Sequence, residues 1–214
     1  MSKLLRYAFL LLGMLTVLFL INLTLIVTHI CNFSVWYTFE TIVLGTLFLM
    51  AIDAAVAFFT QRVPRKWLIP NAWCFKVFGF ERRLYEKVGI RKWKDSIPEL
   101  GGAFKKFSKQ HLESNSKEYI HFFIVETIYG EMAHTWAIVF GIIIFFVFPS
   151  HILNFALPLF LINLFLNLLP AMIQRYTRPK LCKVYERMLE KESELAKENE
   201  LAFDEDVSML PNKS

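Results

Sequence analysis

The sequence predicts an all-α integral membrane protein with about four transmembrane helices, a basic and aromatic-rich interfacial loop, and a C-terminal amphipathic helix. Three observations carry that expectation. Of the 214 residues, 55% are hydrophobic, and phenylalanine alone supplies 22. These residues come in blocks of about 20, the length a helix needs to cross a bilayer core. Lys and Arg gather on one set of connectors and avoid the other, the asymmetry that the positive-inside rule predicts for a multi-pass chain.

The first block runs from residue 4 to 27. Lys3 and Arg6 precede it as in a signal peptide, but the block is too long for one and no small-x-small cleavage pattern follows, so a retained helix is expected. The second covers 36–59, opens on the interfacial aromatics Trp36 and Tyr37, and encloses Asp53. That carboxylate either reaches headgroups and water or faces the bundle interior. In 60–118 basic residues outnumber acids by more than two to one and alternate with aromatics, as in Arg91-Lys92-Trp93-Lys94. Short helices and turns lying on the membrane are expected there, broken at Pro64, Pro70, Pro98 and Gly101-Gly102. The third span is placed at 132–148 and the fourth at 152–172, ending at Pro149-Ser150-His151 and before Gln174 respectively. A charge-mixed helix from Lys180 to about Phe203 follows, and the end of the chain reads as disordered. One membrane-embedded domain over 1–189 and an acidic tail over 190–214 account for the whole.

Every basic segment falls on one side of this arrangement. It predicts a multi-pass protein of the cell membrane with both termini and the large loop in the cytoplasm. Cys31, Cys74 and Cys182 have neither disulfide nor zinc spacing. No phosphate-binding loop or dinucleotide fingerprint is present, and no cofactor is expected. The basic loop is interleaved with interfacial aromatics and abuts the spans, so the bilayer, anionic lipid or a phosphate-bearing donor is its partner and nucleic acid is not.

Ionisable groups are costly at the mouth of a membrane span, so Glu126-Thr127-Ile128-Tyr129-Gly130-Glu131-Met132-Ala133-His134 draws attention. On a helix, taking Glu126 as zero, His134 falls at about 80° and Glu131 at about 140°, with Gly130 at about 40° between the carboxylates. Glu131 at i−3 is then placed to touch His134, raise its basicity and orient its ring. Three readings stand: a self-satisfied pair at the headgroup boundary, half of a di-iron E-x-x-H motif, and a general base at the interface. No metal is expected, since the motif occurs once. On the fourth helix Asn163, Asn167 and Gln174 recur at i, i+4 and i+11, as helix glue or as cavity lining. Arg175 and Arg178 beyond them suit a phosphate or carboxylate, or serve as positive-inside anchors.

Taken in order, Arg91-Lys92-Trp93-Lys94-Asp95-Ser96-Ile97-Pro98-Glu99, Gln110-His111-Leu112, Glu126-Thr127 with Glu131-x-x-His134, and Gln174-Arg175-Tyr176-Thr177-Arg178-Pro179 resemble the glycosyl-4,4'-diaponeurosporenoate acyltransferase family. The resemblance runs from about the second helix to Leu189. It implies transfer of a fatty acyl group from an acyl-CoA or acyl-carrier-protein thioester to a sugar hydroxyl of a glycosylated carotenoid or other lipid. On that footing His134 is the base, with Glu131 and Glu126 beside it and His111 as the competing base. Lys92, Trp93, Lys94, Arg175, Tyr176 and Arg178 belong to the donor site, and Asn163 and Asn167 line it. The rival expectations are an isoprenylcysteine-methyltransferase-like or steroid-reductase-like membrane enzyme, and a non-catalytic membrane scaffold.

Overall fold

The computed structural model describes residues 3–70, 72–97 and 116–208. Every regular element among them is helical. Helices α1 (Lys3–Val27) and α2 (Val35–Thr60) are apolar on nearly every face, as segments surrounded by lipid must be, and a helix satisfies its own backbone there. The Ser34 side chain accepts the Tyr37 N–H at 3.0 Å and sets the start of α2. Next come a 3-10 turn at Arg65–Trp67, α3 (Gly79–Lys87) and α4 (Ile90–Trp93). Gly89, with φ of +68°, takes the left-handed conformation that turns the chain between the last two. Helix α5 (Lys117–Gly141) starts where Ser116 accepts the Tyr119 N–H at 3.3 Å. A short α6 (Ile144–Val147), a 3-10 turn (Pro149–His151) and a π turn (Ile152–Ala156) lead into α7 (Leu157–Ser208).

Four segments are long and apolar enough to cross a membrane: Leu5–Val27, Val35–Thr60, Lys117–Val147 and Pro149–Asn199. The chain is a four-helix membrane protein, as expected, but two boundaries differ. The third span was placed at 132–148, and the helix that carries it begins earlier, at Lys117, because Ser116 caps it and Ile120, Phe123 and Ile124 bury against the bundle. At about 1.5 Å per residue, Lys117–Val147 measures roughly 46 Å, longer than a hydrocarbon core of about 30 Å requires. The fourth span and the charged helix after it were expected as separate pieces. They are one helix of 52 residues that passes through Pro170 and Pro179. Each proline removes an intrahelical donor, yet α5 packs antiparallel along α7 over a longer stretch than any other pair and holds it continuous. Lys117 meets Glu192 at 2.5 Å, which extends that pairing beyond the apolar stretch. Residues 209–214 lie outside the described residues, as do Pro98 and Gly101-Gly102.

The basic loop is more than a surface layer. Leu68 packs with Val125 and Ile128 of α5, and Tyr85 and Ile90 pack with Ile173 and Tyr176 of α7. Trp67, Trp73 and Phe80 stay exposed and fit the interfacial role expected of them. At the opposite end, Leu18, Ile42, Leu49, Ile144, Phe155 and Leu159 form the membrane core. There Pro158 has no N–H to offer the Asn154 carbonyl one turn back. Asn22 of α1 supplies a donor at 3.3 Å, and Asn154 Nδ2 in turn reaches Asn22 Oδ1 at 3.4 Å.

Candidate active site

Two polar layers lie on the loop side of the bundle, one above the other along α5 and α7. The outer layer is an ion-pair network. Glu131 of α5 is 6% exposed, and its two oxygens bind two different arginines, Oε1 to Arg175 Nη1 and Oε2 to Arg178 Nη2. Arg175 also donates from Nε and Nη2 to the two oxygens of Glu81 at 2.7 and 2.8 Å, a bidentate pair, and from Nη2 to the Lys76 carbonyl at 3.0 Å. Arg178 is 1% exposed. It donates to Thr127 Oγ1 at 3.0 Å, to the Thr127 carbonyl at 3.1 Å and to the Phe75 carbonyl at 2.8 Å. Two carboxylates thus face two guanidiniums, and the network is neutral as a whole. Burial raises the Glu81 carboxyl, but the Arg175 hydrogen bonds, the Phe78 N–H and Tyr85 outweigh it and hold Glu81 below its ordinary range.

The inner layer lies about one helical turn further along α5. The His134 Nδ1 is 2.9 Å from Asn167 Oδ1. Asn167 Nδ2 faces the Asn163 carbonyl at 3.1 Å, Asn163 Oδ1 at 2.8 Å and Asp53 Oδ2 of α2 at 3.2 Å. Asn163 Nδ2 donates to the Ala137 carbonyl at 3.2 Å, across a contact that requires Gly141, since a Cβ there would sit 2.3 Å from that nitrogen. Asp53 therefore faces the bundle interior, the second of its two expected readings. Tyr7 of α1 lies within electrostatic reach of it. The Gln174 side chain lies against Gly130 beside the outer layer, and its Oε1 is buried with no hydrogen bond from the described residues.

The expected site residues sort unevenly onto these layers. Glu131 was expected to orient His134, but both its oxygens are held by arginines, because α7 brings Arg175 and Arg178 to the same face. Those arginines were expected to hold a donor phosphate. Most of their donors go to Glu81, Glu131, Thr127 and loop carbonyls, so they clamp the loop to the helices. Asn163 and Asn167 bond within the protein, as helix glue that also reaches the imidazole. Glu126 pairs with Arg65 at 3.2 Å, on the loop side of Glu131. Tyr176 is buried and accepts from Arg91 Nε at 2.9 Å. Trp93 donates to the Val88 carbonyl at 3.1 Å and packs beside Tyr176, Lys94 pairs with Asp95 at 2.9 Å, and Lys92 is exposed. His111 lies outside the described residues. The space that Gly130 leaves on α5 is filled by the Gln174 side chain of α7. The sequence carries no sign of Glu81, whose spacing from the arginines has no periodic signal, and it assigns Thr127 no role. Among the described residues no three His, Cys, Asp or Glu side chains converge as metal ligands would.

A groove of about 590 Å³ runs between α1 and the start of α7, lined by Leu10, Met14, Val17, Ile21, Leu161 and Ile162 among others. It extends from Leu25 to Phe9, about 24 Å along α1 at 1.5 Å per residue. Its walls do not include His134, but its loop-side end at Phe9 is two residues from Tyr7.

A family model described as glycosyl-4,4'-diaponeurosporenoate acyltransferase matches residues 64–187, more than half of the chain. The chain belongs to that family. Membership makes it an acyltransferase and sets aside the methyltransferase, reductase and scaffold expectations. A curated glycosyl-4,4'-diaponeurosporenoate acyltransferase from Staphylococcus haemolyticus (strain JCSC1435) is 29% identical over 163 residues, covering 74% of this chain and 93% of that protein. No solved structure matches. The family model begins to match at Pro64. The matched segment contains every expected site residue from Lys92 to Arg178 and stops short of Asp53.

Proposed function

We propose that this protein moves a fatty acyl group from a thioester donor to a sugar hydroxyl of a glycosylated isoprenoid lipid, with His134 as general base. The observation that carries this reading is the half-buried His134 imidazole, held at Nδ1 just beneath a neutral ion-pair layer in a segment of acyltransferase ancestry. In the reaction the acceptor O–H proton passes to the imidazole, and the oxygen forms an ester bond to the thioester carbon. The C–S bond breaks and the thiol leaves with the proton. The closed network above the imidazole keeps bulk water from competing for the acyl group.

The basic side of the bundle faces the cytoplasm in this reading, where acyl-CoA or an acyl-carrier protein is available. With Arg175 and Arg178 engaged, donor phosphates fall to exposed cations of the loop, among them Lys92. The groove along α1 suits the long apolar chain of the acceptor, with its sugar toward Tyr7 and the inner polar layer. The test is lipid mass spectrometry of cells expressing the protein or its His134→Ala variant. Loss of the acyl-shifted glycolipid at unchanged membrane abundance is expected. Full product from His134→Ala overturns the assignment of the base.

A further inference from the structure

We infer that Asn167, backed by Asp53, fixes His134 in one tautomer and one orientation, so that a carboxylate on α2 positions the base on α5. The inference rests on the acyl-transfer reading above, and it concerns a residue that lies outside the family segment. Backbone geometry decides the amide orientations. The Ala137 carbonyl can only accept, so the Asn163 group 3.2 Å from it is the NH2, and Asn163 Oδ1 points toward Asn167. The Asn163 carbonyl likewise can only accept, so the Asn167 group 3.1 Å from it is the NH2. Asn167 Oδ1 must then be the atom 2.9 Å from His134 Nδ1. An amide oxygen cannot donate, so in the neutral ring Nδ1 carries the hydrogen and the lone pair sits on Nε2.

Asp53 gives this arrangement its electrostatic direction. Its Oδ2 accepts from Asn167 Nδ2 at 3.2 Å, while Oδ1 is buried and takes no hydrogen bond from the described residues. Pulling on the NH2 polarises the amide and makes its oxygen a better acceptor for Nδ1–H, and such chains strengthen one another in a low-dielectric interior. When Nε2 takes the acceptor's proton, the resulting imidazolium is stabilised through the amide by the carboxylate behind it. Triad enzymes use a directly bonded carboxylate for this purpose. Here the amide is interposed, so the carboxylate acts through it at one remove.

The experiment pairs a spectroscopic readout with kinetics on the full chain in lipid nanodiscs. In protein labelled with 15N at histidine, ring-nitrogen shifts near pH 8 report the tautomer of His134, assigned by its loss in His134→Ala. The wild type is expected to show Nδ1 protonated. Asn167→Ala is expected to mix the tautomers and to lower kcat by about 10- to 100-fold with KM within about twofold, by analogy with metal-bound histidines that lose an orienting partner. The isosteric Asp53→Asn should lower kcat by about tenfold and leave insertion unchanged, and it carries the test where Asn167→Ala fails to insert. An inactive His134→Ala with wild-type kcat and tautomer in both other variants overturns the positioning role alone. An active His134→Ala overturns the base assignment on which it rests.

Discussion

Replacing Glu131 by Gln changes one oxygen to NH2 and nothing in volume, yet it should be one of the most damaging substitutions in the protein. Glu81 and Glu131 balance Arg175 and Arg178, so removing one carboxylate leaves a net positive charge on guanidiniums that are 19% and 2% exposed. Breaking a buried pair by deleting one partner costs about 3–5 kcal/mol. For a chain of this size each kcal/mol shifts the midpoint by about 2–4 °C, so a fall of roughly 6–20 °C is expected. Differential scanning fluorimetry of the purified protein in micelles measures it. The double variant Glu131→Leu with Arg178→Met removes one charge of each sign and should recover most of the loss, since the Glu81–Arg175 pair remains neutral. A Glu131→Gln variant that melts like the wild type but makes no product refutes this reasoning, and returns Glu131 to the chemistry.

Gly141→Ala places a Cβ 2.3 Å from Asn163 Nδ2 and should cut product formation, with about 1–3 kcal/mol of destabilisation from overpacking. Gly130→Ala is its control. The added Cβ meets the flexible Gln174 amide at 3.0 Å, so near-normal product is expected, and equal losses in both variants contradict the Asn163 mechanism. Arg65→Ala removes a pair whose arginine side chain is 54% exposed, so it should cost no more than about 1 kcal/mol in the same melting assay. For pH, the folded-state value of Glu81 lies below its ordinary 4.5, so its contribution is complete above that value and lost as pH falls through the depressed one. Melting points taken from pH 6 down to pH 3 should fall below about pH 4.5, and Glu81→Gln should flatten that fall.

The number of spans, and the side of the bundle that carries the cations, could be read from the chain because both depend on local composition. A block of Leu, Ile and Phe about 20 residues long is a membrane helix in almost any context. Helix boundaries depended on more than composition. The start of α5 at Lys117 is set by the Ser116 cap and by burial against α7, and the passage of α7 through Pro170 and Pro179 is set by α5. The ingredients of the site were equally visible, since Glu131, His134, Asn167 and Arg178 stand out as polar groups in apolar surroundings. Their pairing was not. At i−3, Glu131 is as near to His134 in sequence terms as a side chain on a helix can be, and that proximity suggested a dyad. Tertiary packing instead brings two arginines to the carboxylate, and charge-assisted guanidinium bonds occupy both of its oxygens. It also brings Asn167 of α7 to the ring, with Asp53 of α2 bonded to the far side of that amide. Hydrogen bonds between helices depend on register and rotation about each axis, and a single sequence encodes neither locally. The residues and their depth in the membrane are properties of the chain, whereas the choice of partner for His134 belongs to the fold.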